Sequence, residues 1–178
     1  MKKISFLLVL MFATITATQA QHVFNKGDMM LNAGLGIPNS YGLIPTINAS
    51  LEYGAIPTGD IGIVSFGGMA EFHLAQYNDY WYYGDSYSET WPRFYIGARA
   101  AWHLQVFESD EWDVYGGVGF GLVINGKTKH GYYDPATVGA SPDIFIGGRW
   151  MFKEKMGLFA ELGYSGLSAA RFGITFGF

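Results

Sequence analysis

The chain has 178 residues, 49% of them hydrophobic and 17% aromatic, with 25 glycines, no cysteine and a formal net charge of −4. No disulfide framework, thiolate metal site or cysteine-borne lipid anchor can be built from it, and no basic stripe is present to hold nucleic acid. After the first 20 residues no run reaches the roughly 18 apolar residues that a membrane-crossing helix needs, and interior glycines, each costing a helix about 1 kcal/mol relative to alanine, point to β structure.

Residues 1–20 open with Lys2 and Lys3, continue as an apolar run and end in small residues around Ala17 and Ala20. That is the layout of a secretory signal peptide, expected to be removed. Residues 21–178 then form one domain with 9 basic and 15 acidic residues.

From there the hydrophobic period is two, and about eight strands can be placed between turn signals. The first, near residues 29–37, sets Met29, Leu31, Ala33, Leu35 and Ile37 against Asn32, Gly34 and Gly36. The second sets Ile47, Ala49, Leu51 and Tyr53 against Thr46, Asn48, Ser50 and Glu52, with residues 54–60 as the following turn. The third sets Val64, Phe66, Ala70, Phe72 and Leu74 against Ser65, Gly67, Met69, Glu71 and His73. In the fourth, Phe94, Ile96, Ala98, Ala100, Trp102 and Leu104 oppose Tyr95, Gly97, Arg99, Ala101 and His103.

The fifth follows the acidic turn 108–111 and ends at Asn125-Gly126, with Val114, Val118, Phe120, Leu122 and Ile124 on its apolar face. The sixth sets Ile144, Ile146, Trp150 and Phe152 against Asp143, Phe145 and Arg149, and the short turn 153–155 leads to the seventh, where Leu158, Ala160, Leu162 and Tyr164 oppose Phe159, Glu161 and Ser165. In the eighth, Phe172, Ile174, Phe176 and Phe178 alternate with Arg171, Gly173, Thr175 and Gly177 to the last residue. Connections 76–91 and 125–141 read as long polar loops, whereas those on the other side are short. This asymmetry, with an even number of antiparallel strands, predicts an all-β, eight-stranded, up-and-down transmembrane barrel.

The second face carries Glu52, Glu71, Arg99, Arg149, Glu161 and Arg171 near mid-strand, three acids and three bases. An ion pathway would use such charges, but a barrel of about eight strands is filled by its own side chains, so a packed ionic interior is expected. Alternation alone does not say which face is inside. A soluble exported barrel of lipocalin type would turn the apolar face inward around a ligand. Central charges among glycines, aromatics near strand ends and a terminal phenylalanine favour lipid on the outside.

The terminal alternation Phe172, Ile174, Phe176, Phe178, with the leader and the eight-strand meander, resembles the small OmpA-like and OmpX-like outer-membrane β-barrel family over residues 21–178. The resemblance implies a Gram-negative-type outer-membrane location, outer-membrane lipids as surroundings, and an assembly machinery that reads those four residues as an insertion signal. The peptidoglycan-binding domain of full OmpA-like proteins is not expected, since the sequence stops at Phe178.

Some small outer-membrane barrels modify lipids. The residues two places after His22, His73, His103 and His130 are Phe24, Ala75, Gln105 and Tyr132, so the His-x-Ser arrangement of the deacylases is missing. No enzyme, cofactor or metal is expected. The loop candidates Tyr80, Trp81, Tyr82, Tyr83, Tyr87 and Trp91 offer amphipathic contact area for an extracellular ligand or protein, or serve as headgroup anchors.

Overall fold

The computed structural model describes residues 22–80, 86–105, 109–127 and 136–178, with backbone alone at 78–80 and 86–87. The expected leader, residues 1–20, lies outside the described residues.

Eight strands follow in chain order: β1 (Met29–Pro38), β2 (Thr46–Pro57), β3 (Gly62–Tyr80), β4 (Ser86–Leu104), β5 (Trp112–Asn125), β6 (Thr137–Lys153), β7 (Met156–Tyr164) and β8 (Ser168–Gly177). Each pairs antiparallel with the next, and β1 pairs with β8, so the sheet is a closed barrel. Closure leaves no free edge around the ring, which satisfies the backbone without a second layer. Among the described residues no helix is long and apolar enough to cross a membrane.

Period-two patterning fixes which side chains share a face. β2 alternates strictly, with Thr46, Asn48, Ser50 and Glu52 buried and Ile47, Ala49, Leu51 and Tyr53 exposed. The same alternation runs through the other strands, so the polar face is the inside. Buried apolar residues form small clusters in layers: Phe24, Met30, Ile63 and Met151 at the end with the short turns, Ala101, Tyr115 and Phe145 further in, and Met69, Tyr95, Val123 and Leu167 toward the other end.

Three boundaries differ from the sequence reading. β2 runs on to Pro57 through a register shift between Gly54 and Ile56, so the turn is confined to residues 58–61. A bulge absorbs Ala55, and its extra residue hid the continuing strand from a strict period of two. The connection read as loop 76–91 is mostly ladder: Gln76 pairs with Thr90 and Tyr80 with Ser86. Its tyrosines and threonine are good strand formers despite their polarity. Likewise, β6 already begins at Thr137.

Two strand prolines sit where the neighbouring strand has ended. Pro92 lies one residue beyond the β4–β5 register, which starts at Arg93, and Pro142 lies two beyond the β6–β7 register, which starts at Ile144. Each pairs on its other side only, Pro92 with Leu74 and Pro142 with Phe120, and a residue without an N–H is tolerated where one flank of the strand has no ladder partner.

Candidate functional site

The charged side chains converge because they occupy inward positions on different strands of a narrow ring. Arg149 on β6 has no exposed surface. Its Nη2 is 2.6 Å from Glu52 Oε2 on β2 and its Nη1 is 2.7 Å from Asp113 Oδ2 on β5. Nε donates to Asn32 Oδ1 at 3.2 Å, and the Tyr115 ring lies 4.4 Å from the guanidinium. Donors and acceptors so matched offset the large cost of removing the charges from water.

Arg99 on β4 is held less closely. Its Nη2 donates to both oxygens of Glu161 at 3.2 Å, Nε stands 3.6 Å from Asp143 Oδ2, and Nη1 stands 3.8 Å from Glu52 Oε1. The Phe145 ring covers its guanidinium at 3.6 Å, a favourable cation–π position. Arg171 on β8 closes the circuit with Glu161 Oε2 at 3.1 Å and Asp143 Oδ1 at 3.2 Å, while the Tyr115 hydroxyl donates to Glu161 Oε1 at 3.0 Å.

Glu71 stands apart from this circuit and makes no ion pair within 4 Å among the described residues. Its carboxylate accepts from three hydroxyls instead: Thr46 at 2.7 Å, Ser165 at 2.9 Å and Ser168. Asp113, Asp143 and His103 belong to the circuit although a census of mid-strand charges passed over them. Asp113 is the second residue of β5, between the acidic turn 108–111 and the first apolar position Val114, and the sequence reading gave it no role; its register opposite Arg149 reveals it.

Ser65, His103 and Asp113 form a row. Ser65 Oγ is 3.0 Å from His103 Nε2, and His103 Nδ1 is 2.9 Å from Asp113 Oδ2. The distances match a nucleophile–base–acid relay. However, Ser65 has no exposed surface, and Glu52 Oε2 stands 3.5 Å from the same ring nitrogen that meets Ser65. Sequence reasoning missed the row because its members lie on three strands, at inward positions that only the register aligns.

At the long-loop end Arg93 donates from Nε to Asn125 at 2.8 Å and from Nη1 to Ser40 at 3.2 Å. Its guanidinium lies 4.6 Å from the Tyr41 ring. Tyr41 has a left-handed backbone, φ +62°, which the Gln76 N–H to Tyr41 carbonyl bond at 2.9 Å helps to hold. Of the loop candidates, Trp91 meets Tyr41 edge-on at 5.3 Å. Tyr80 and Tyr87 lie on the β3–β4 ladder with side chains outside the described residues, and Trp81, Tyr82 and Tyr83 lie outside them altogether. Of the terminal residues, Phe172, Ile174 and Phe178 point outward and are exposed, Phe176 is half-exposed on the same face, and the Phe178 N–H donates to the Met29 carbonyl at 3.0 Å. No group of three or more histidines or carboxylates among the described residues could hold a metal ion.

A closed ring of eight antiparallel strands, apolar outside and ionic within, defines the chain as a small up-and-down barrel. Among solved structures it is similar to the N-terminal β-barrel domain of Pseudomonas aeruginosa OprF, with a TM-score of 0.50 and 14% identity over 87% of this chain and 100% of that one. Ail, the attachment invasion locus protein of Yersinia pestis, matches with a TM-score of 0.45 and 15% identity over 86% of this chain and 99% of its own. No family model and no curated protein matches the sequence. At this identity the likeness to OprF is one of fold, and that fold is the small eight-stranded barrel which the sequence resemblance implied.

Proposed function

We propose that the chain is an integral outer-membrane β-barrel protein with an interior packed by paired charges, serving the cell envelope through its structure or its outer surface rather than by catalysis. The observation that carries this reading is the inverted distribution of side chains. Ile146 is 66% exposed, Phe120 and Leu162 62% and Ile96 60%, while Arg149 and Glu52 are at 0% and 1%. A water-soluble barrel of lipocalin type would bury the first set. A continuous apolar belt of this extent in water far exceeds the patch of a few hundred Å² that soluble proteins tolerate, whereas in lipid each outward side chain is solvated.

Aromatic placement supports the same reading. Trp102, Trp112, Trp150 and Phe152 lie outward near the short-turn end, with Trp112 stacked on Trp150 at 6.2 Å, and Tyr164 lies outward at the opposite end of β7. Tryptophan and tyrosine favour the two headgroup levels of a membrane barrel. Lipids are therefore the partners of the outer face, and the assembly machinery is the partner of residues 172–178. The Ser65–His103–Asp113 row is read as a strut: its hydroxyl faces no solvent, and Glu52 occupies the side of the imidazole from which a base would work.

Membrane fractionation combined with gel mobility tests this function. The protein is expected in the outer-membrane fraction, and its unheated, folded form is expected to migrate differently from the heated form. Recovery as a native protein in the soluble periplasmic fraction would overturn the proposal.

A further inference from the structure

Residues 22–28 precede β1 and belong to no ladder, yet they run back across the short-turn end of the barrel. Phe24 is only 1% exposed and packs with Met30, Ile63 and Met151, its ring centre 4.3 Å from that of His103. Among the described residues four hydrogen bonds tie the segment to the barrel, one of them from Gln105 Nε2 to Asn25 Oδ1 at 3.5 Å. Gln105 Nε2 donates to the Phe24 carbonyl at 2.8 Å, the Gly27 N–H donates to the Gly54 carbonyl at 2.8 Å, and the Gly54 N–H donates to the Asp28 carbonyl at 3.0 Å. Within the segment, the Asp28 carboxylate accepts from the Asn25 N–H at 2.8 Å and holds the bend.

The seat is shaped for it. A Cβ on Gly54 would fall 2.2 Å from the Asn25 carbonyl oxygen, so any other residue there pushes the segment away. Phe24 is the one large side chain that the segment buries, and it covers the imidazole that in turn contacts Asp113 and Glu52.

We propose that residues 22–28 form a latch, with Phe24 as its stopper, which closes the ionic interior at the short-turn end and lifts without opening the barrel. The ring already closes through β1 and β8, whose register runs from Met30–Gly177 to Ile37–Ala170 before its shift at Pro38. Release therefore breaks the latch's own contacts and leaves every strand pair intact, as expected of a local opening far below global unfolding. Lifting Phe24 uncovers His103 and the neighbouring Asp113 first, then Ser65 on the far side of the imidazole. The latch is independent of what surrounds the outer face, so its test does not depend on the membrane reading.

The chain has no cysteine, so Ser65→Cys places a single thiol at a position without exposed surface. The folded protein is treated with a charged, membrane-impermeant methanethiosulfonate. Modification is expected to be slow in this parent and at least about tenfold faster when Phe24→Ala or Gly54→Leu is added, with the folded gel mobility retained. Rapid modification of the parent, or equal rates in parent and folded variants, would overturn the latch. If Gly54→Leu does not fold, the comparison with Phe24→Ala, which alters no strand, decides it.

Discussion

Arg149 on β6 and Glu52 on β2 meet at 2.6 Å across the barrel, from strands four places apart in a ring of eight. Neighbouring strands are already joined by backbone bonds; this pair ties opposite walls. Arg149→Met would take from buried Glu52 and Asp113 the cation they share most closely, leaving Arg99 at 3.8 Å from Glu52 and His103 beside both; breaking a buried pair in this way typically costs about 3–5 kcal/mol. Denaturant unfolding of the refolded variant should show a loss of that size. Adding Glu52→Gln should recover part of it, because one stranded charge is removed with the other. A combined loss equal to the sum of two separate losses would mean that the two residues act independently.

Period-two faces were legible where inward polar or charged residues alternate with outward apolar ones along a strand. Glu52 between Leu51 and Tyr53 is an example. The partners were not legible. Glu71 and Glu161 look equivalent in sequence, yet Glu161 meets Arg99 and Arg171 while Glu71 meets three hydroxyls, two of them from the β7–β8 turn and its edge. Pairing across a barrel depends on stagger between distant strands, which local pattern does not encode. Phe24 was missed for a different reason: one phenylalanine in the polar stretch 22–28 carries no periodicity, and its burial comes wholly from tertiary docking.

The row of Ser65, His103 and Asp113 gives the non-catalytic reading a sharp test. A fluorophosphonate probe should leave Ser65 unlabelled in the folded protein, because the hydroxyl is enclosed and its imidazole also faces Glu52. Stoichiometric labelling that disappears with His103→Gln would establish an activated nucleophile and overturn the strut.

Glycines facing inward and outward should respond in opposite ways. A Cβ on Gly67 would lie 2.0 Å from the Leu51 carbonyl oxygen, in backbone that cannot yield, whereas one on Gly148 would find its nearest neighbour at 3.6 Å. Gly67→Ala should therefore cost about 1–3 kcal/mol through overpacking. Gly148→Ala should be neutral or stabilise by about 0.4–1 kcal/mol through the unfolded chain. Unfolding midpoints of the two refolded variants compare them directly.

Phe178→Ala would separate assembly from stability. The Phe178 side chain is 68% exposed and its N–H is held by the Met29 carbonyl, a bond that Phe178→Ala retains. Refolded Phe178→Ala should keep near-native stability in detergent while its abundance in the outer membrane of cells falls sharply. Assembly at the native level would show that the final phenylalanine is not read during insertion.

Which face meets lipid is decided most directly by fluorescence quenching. Trp102, outward and 42% exposed, is kept as the sole tryptophan by replacing Trp81, Trp91, Trp112 and Trp150 with phenylalanine, and the protein is refolded into bilayers with brominated acyl chains. Strong quenching relative to unbrominated bilayers is the expected result, because bromine in the hydrocarbon then touches the outer face. Emission unchanged by bromine, from protein that stays in the aqueous phase, would contradict a barrel whose apolar side faces the membrane.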